Sequence, residues 1–194
     1  MAHTKSATPP RPSPRERLLA AANDLFYAEG VQTVGIDRII EHAGVAKASL
    51  YNTFGSKEEL VRAYLETRHA GTVDRIRRAV AEQTDPRARL LAVFDAQGAQ
   101  FARSDFRGCA IAAASVEAPH GGLVEQAADH YRNDIRTLLT ELAEQAGVPD
   151  PATLAWQLHL VYDGGALSAR MDRDPSVAAV SRATAETLLD AALR

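Results

Sequence analysis

The run from Gly35 to Lys57, GIDRIIEHAGVAKASLYNTFGSK, constrains the fold more than any other part of the chain. Ile36, Ile39 and Ile40 recur at helical spacing and give a short helix one apolar face. Gly44 then supplies the left-handed backbone that ends a helix before a tight turn. A second short helix follows, with Val45 and Leu50 as apolar anchors. Lys47, Ser49, Tyr51 and Asn52 carry groups that reach phosphates or base edges. Ser56-Lys57-Glu58-Glu59 opens a third helix at once with capping-box chemistry. The arrangement predicts a helix-turn-helix, whose second helix enters a DNA major groove while the first crosses the backbone.

Charge supports that placement weakly. The whole chain of 194 residues has a formal net charge of −3, which by itself does not suggest a nucleic-acid binder. Residues 1–57, however, hold seven Lys/Arg against five Asp/Glu, and the remainder fifteen against twenty. The basic excess therefore lies with the motif, where phosphate contacts need it. One cysteine excludes an internal disulfide and fits a reducing compartment. The polar, proline-rich start lacks the apolar stretch of a signal peptide, and no apolar run is long enough to span a bilayer. A cytoplasmic protein without a membrane segment is expected.

Helix punctuation continues along the chain. Residues 1–13 read as a disordered arm. Ser13-Pro14-Arg15-Glu16 is a helix start, and Gly30 is that helix's stop. The helix opening at Ser56 is expected to reach about Gln83. Asp85-Pro86, Asp150-Pro151 and Asp174-Pro175 each read as further starts. Between Gly122 and Gly147, Val124, Ala128, Tyr131, Ile135, Leu138 and Leu142 alternate steps of three and four, a long amphipathic helix. The next carries Leu154, Leu158, Val161 and Leu167; the last carries Val177, Val180, Thr184, Leu188 and Ala191. No alternating strand pattern occurs. The expectation is an all-α chain of about nine helices.

From about Arg15 to Leu65 the chain resembles the tetracycline-repressor (TetR-like) family of bacterial transcription regulators. Gly30, Ile39, Ala43, Gly44, Val45, Lys47, Leu50, Tyr51, Phe54, Ser56, Lys57, Glu58, Glu59 and Leu60 match in order and spacing without a gap. Gly35 departs from the Ser or Thr that many relatives carry there, which removes a side-chain phosphate contact and leaves the backbone N–H to serve. The resemblance implies a DNA-binding domain over residues 14–60 and a helical effector-binding and dimerisation domain over 61–194. Its members are mostly repressors that act as homodimers on palindromic double-stranded operators and leave them when a small molecule binds. The DNA-binding set expected here is Gly35, Lys47, Ala48, Ser49, Tyr51, Asn52, Thr53 and Lys57. Lys47, Tyr51 and Asn52 would be the principal contacts, with Thr53, Lys57 and the Gly35 helix start clamping phosphate.

The remainder is less specific. Gln97 interrupts an apolar stripe of Leu90, Phe94 and Phe101, and a buried amide needs a partner, either a neighbouring helix or a ligand. His130, Tyr131, Trp156 and His159 are further candidates for an effector pocket. Asp163-Gly164-Gly165-Ala166 places two glycines inside a helix at about 1 kcal/mol each relative to Ala, suggesting close approach of another backbone at a dimer interface, or a simple kink. Cys109 reads as a small buried hydrophobe. Glu66/His69 and Glu117/His120 have the spacing of di-iron bundles, but Pro119 interrupts the second pair, so no metal is expected. No phosphate loop or nucleophile elbow appears, so neither catalytic residues nor a cofactor are expected. A DNA-binding protein without an effector and a helical metalloenzyme are the rival readings.

Overall fold

Local capping chemistry sets most helix starts. The computed structural model describes residues 12–194 and contains nine α-helices and no strand among them. These are α1 (Pro14–Glu29), α2 (Ile36–Ala43), α3 (Lys47–Phe54), α4 (Lys57–Ala81), α5 (Pro86–Phe101), α6 (Ala110–Glu117), α7 (Leu123–Gln145), α8 (Pro151–Asp172) and α9 (Val177–Ala192). The expected arm over residues 1–13 lies almost wholly outside the described residues. At α1 the capping box closes both ways: Glu16 N–H donates to Ser13 Oγ at 3.2 Å, and Ser13 N–H to Glu16 Oε2 at 2.7 Å. Those bonds hold the Glu16 carboxyl below its ordinary range. Asp85 and Asp150 accept from Ala88 N–H and Thr153 N–H at the heads of α5 and α8. Asp174 behaves differently from the expectation. It accepts from both the N–H and the hydroxyl of Ser176, and α9 begins only at Val177.

The chain divides into two compact units, with the boundary inside α4 between Tyr64 and Leu65. In the first, α1 packs on α2 and α3. Leu18, Ala22, Phe26, Val34, Ile39, Leu50, Leu60 and Tyr64 fill the centre, and the Phe26 and Tyr64 rings meet edge to face at 5.5 Å. Each of the Leu, Ile, Val and Phe side chains, fully withdrawn from water, contributes roughly 1.5–3 kcal/mol.

In the second unit α7 packs on α8, α8 on α9, and α5 on α9, with α6 against α7. Leu90, Val93, Phe94, Ile135, Leu139, Leu142, Leu154, Leu158 and Leu189 form its core. Three expected stripes are displaced. On α8 Leu154 and Leu158 are buried, but Tyr162 and Ala166 continue the inner side while Leu167 faces outward. On α7 Leu139 is buried, with Leu138 only half-buried beside it. On α9 the inward residues are Ser181, Ala185 and Leu189, whereas Val180, Thr184 and Ala191 face outward. Small side chains win the inner position because neighbouring helices come very close. A Cβ on Gly98 would lie 2.7 Å from Ala178 Cβ, and one on Gly165 would lie 2.4 Å from Ser181 Oγ.

Candidate functional site

The turn between α2 and α3 is held from three sides. Gly44 adopts φ 60° and ψ 44°, the left-handed geometry that costs a residue with a Cβ. Val45 N–H reaches back to Ile40 O at 3.1 Å, closing the end of α2. Arg17 of α1 then donates from Nη1 to Ala43 O at 3.2 Å and Gly44 O at 2.7 Å. A cation on the last carbonyls also suits the negative end of the helix dipole. Leu50, fully buried, fixes the inner side of α3.

The outer side of α3 follows from helical geometry. Lys47, Ala48, Tyr51 and Asn52 are all exposed, and steps of three and four place them on one surface. Ser49 is half-buried. Lys47 Nζ pairs with Asp37 Oδ1 of α2 at 2.9 Å, and that hydrogen bond raises the ammonium pKa, keeping it charged. Neither N-cap residue, Gly35 for α2 or Ala46 for α3, offers a side-chain cap to the first N–H groups. Those N–H groups are donors of the kind that anions use. Thr53 is placed less favourably than the sequence suggests: its hydroxyl donates to Ser49 O at 2.6 Å, so its proton is spent inside the helix. Lys57, half-buried, is the first residue of α4. Arg17 went unrecognised in the sequence, because nothing local ties it to carbonyls 26 and 27 residues away.

The surface just described has counterparts in known proteins. The family model for bacterial regulatory proteins of the tetR family matches residues 18–64. A solved TetR-family transcriptional regulator from Streptomyces coelicolor is 31% identical, covers 93% of this chain and 96% of its own, and superposes with a TM-score of 0.89. A TetR-type regulator from Streptomyces avermitilis is 37% identical over 93% of this chain and 98% of its own, with a TM-score of 0.84. This chain belongs to the TetR family of DNA-binding transcriptional regulators. The transcriptional activator FasR of Mycolicibacterium smegmatis is 40% identical over 87 residues, which span 45% of this chain but only 40% of FasR. Among the described residues of this TetR-family chain, no helix is long and apolar enough to cross a membrane.

The second unit holds a buried polar seam. Phe94 is buried and stacks edge to face on Tyr162 at 6.2 Å. Gln97 is buried beside it and donates from Nε2 to Tyr162 O at 2.7 Å, while its Oε1 has no hydrogen-bond partner among the described residues. His159 is buried with neither ring nitrogen hydrogen-bonded among the described residues, and Asp163 Oδ2 stands 3.6 Å from Nε2. Burial holds that imidazole below its ordinary pKa, in the neutral form. Burial also pushes the Tyr131 and Tyr162 phenols and the Cys109 thiol upward, so all three remain protonated. Cys109 also caps α6, its Sγ accepting from Ala112 N–H at 3.5 Å. Phe101 packs with Phe106, Ala166 and Ala169.

Two sequence candidates for an interior pocket point elsewhere. The His130 side chain is 70% exposed beside Asp134. Trp156 is 53% exposed, with the Arg136 guanidinium 4.5 Å above its ring. Each lies next to an inward residue, Tyr131 and Ala155, and one helical step of about 100° turns a side chain away from the core. Gly165, too, serves within the chain, against Ser181, rather than at an outer surface. The outward α8 face carries Trp156, Leu160, Leu167 and Met171, with Gly164 open among them.

Proposed function

We propose that this TetR-family chain is a cytoplasmic repressor that leaves its operator when a small, largely uncharged molecule binds the seam of the second unit. The DNA-binding part would be residues 14–60 and the ligand-binding and dimerisation part 61–194. The observation carrying the reading is the outward surface of α3, where Lys47, Ala48, Tyr51 and Asn52 stand together over a fixed turn. Lys47 would meet phosphate, Tyr51 and Asn52 would meet base edges and phosphate, and Gly35 and Lys57 would add backbone clamps. The Gln97 Oε1 and the His159 nitrogens, without hydrogen bonds among the described residues, support a polar anchor for the ligand, with Phe94 and Tyr131 as apolar walls. Such a ligand must prefer the conformation that does not fit DNA, because equal affinity for both shifts nothing.

Operator binding by purified protein, with and without substitutions, tests this. Lys47→Ala should weaken binding to all sequences and lower the salt slope by about 1. Tyr51→Ala should lose affinity for the operator more than for random DNA. If both folded variants bind like the parent, α3 does not read the site. One observation favours a second sign of regulation: the matched relative FasR is named an activator. Transcript levels of genes beside the bound sites, with the regulator deleted, decide between the two.

A further inference from the structure

His69, on the second-unit part of α4, turns toward two residues one helical turn apart on α7. His69 Nε2 lies 3.0 Å from Asp134 Oδ2, and His130 Nε2 lies 3.8 Å from the same oxygen. The two imidazole rings stand edge to face with centroids 5.2 Å apart. One donor atom from each of the three residues falls within 4.8 Å of the others. The cluster joins His69 of α4 to His130 and Asp134 of α7, a pairing across helices that the Glu66/His69 spacing in the sequence does not show.

An ion bound tetrahedrally by nitrogen and oxygen at about 2.0–2.1 Å places those ligand atoms about 3.3 Å apart. The two separations from Asp134 Oδ2, 3.0 and 3.8 Å, lie on either side of that value, and all three donor atoms lie within 4.8 Å of one another, so side-chain rotation would bring them onto one ion. Two imidazoles and one carboxylate suit zinc-class transition metals, whereas magnesium and calcium take oxygen ligands. The His69 side chain is only 12% exposed, so little solvent competes for its ring nitrogen. Tyr131 packs against that ring at 5.4 Å and fixes its plane. Asp134 supplies negative charge, and a hydrogen bond to a single carboxylate oxygen explains one converging imidazole more readily than two.

We propose that His69, His130 and Asp134 bind one divalent transition-metal ion, tying α4 to α7 within the second unit. Three protein ligands leave a fourth position for water or a small anion.

The test uses the untagged full-length chain, stripped with a chelator and titrated with Co2+, whose visible absorption reports nitrogen and oxygen coordination. One Co2+ per chain is expected, displaced by Zn2+, and Zn2+ should raise the melting temperature. His130→Gln alters an exposed side chain and leaves the core untouched; Asp134→Asn keeps its shape. Each should weaken Co2+ binding at least about tenfold, since even outer-shell partners of metal ligands are worth 10–100-fold. His120→Gln, fully exposed elsewhere, should bind like the parent. No binding at micromolar Co2+, or unchanged binding in both His130→Gln and Asp134→Asn, overturns the site. Neither DNA nor effector enters the measurement, so its outcome stands apart from the regulatory reading.

Discussion

At the scale of single residues, the reading head depends on contacts that its surface does not reveal. Arg17 anchors both carbonyls at the turn, so Arg17→Met should destabilise the protein by about 1.5–3 kcal/mol, the range for a charged hydrogen bond. Gly44→Ala should cost about 1–2 kcal/mol from left-handed backbone strain alone, because the added Cβ would sit at an ordinary 3.7 Å from Arg17 Nη1. Denaturant unfolding measures both, and a neutral Arg17→Met would show that the guanidinium is ornamental to the turn. The contrast with Lys47, Tyr51 and Asn52 explains what the sequence reveals. Their shared surface follows from helical period and one buried Leu50, which are local properties. Arg17 acts across a long sequence separation, and Thr53 spends its proton on its own helix, so neither was legible from type and order. His130 and Tyr131 illustrate the same limit: adjacent in the chain, one is exposed and the other buried.

At the scale of elements, α8 and α9 each present apolar residues on two sides, and periodicity alone does not say which side is inner. The choice is made by close approach. Gly165 against Ser181 and Gly98 against Ala178 turn the small residues of α9 inward, which leaves Val180 outward. This is tertiary information, and it moves Gly165 from the expected dimer interface to a contact within the chain. Gly165→Leu should destabilise the folded chain, by at least the 1–3 kcal/mol typical of overpacking, with melting temperature falling whatever the oligomeric state. Leu160→Glu with Leu167→Glu should instead leave helix content intact and convert the proposed dimer to monomer, because those side chains are 65% and 60% exposed in the single chain. Light scattering beside circular dichroism separates the outcomes. A double variant that remains dimeric would remove the outward α8 face from the interface. Helix starts were legible wherever Ser or Asp caps locally; α9 was the exception because Asp174 is engaged by Ser176.

At the scale of the whole molecule, the proposed regulation requires that ligand and DNA favour different states, and the ligand would be gripped where the folded chain is least satisfied. His159 is the sharpest case. It is 1% exposed, neutral, and hydrogen-bonded at neither nitrogen, while its neighbour Asp163 already holds Arg132 at 2.6 Å. A buried polar group without partners is a net cost that an apolar side chain of similar size removes. His159→Leu should therefore melt at the same temperature as the parent or higher, and bind operator DNA equally well without ligand. If the imidazole bonds the effector, the compound that releases the parent protein should need about 2- to 10-fold higher concentration to release the variant, matching one hydrogen bond of 0.5–1.5 kcal/mol. Thermal melting and a release titration on operator DNA are the two readouts. Clear destabilisation would mean that His159 has a structural partner, and an unchanged release midpoint would mean that the ligand is held elsewhere. Stability gained together with sensitivity lost is the combination that a purely structural histidine does not produce.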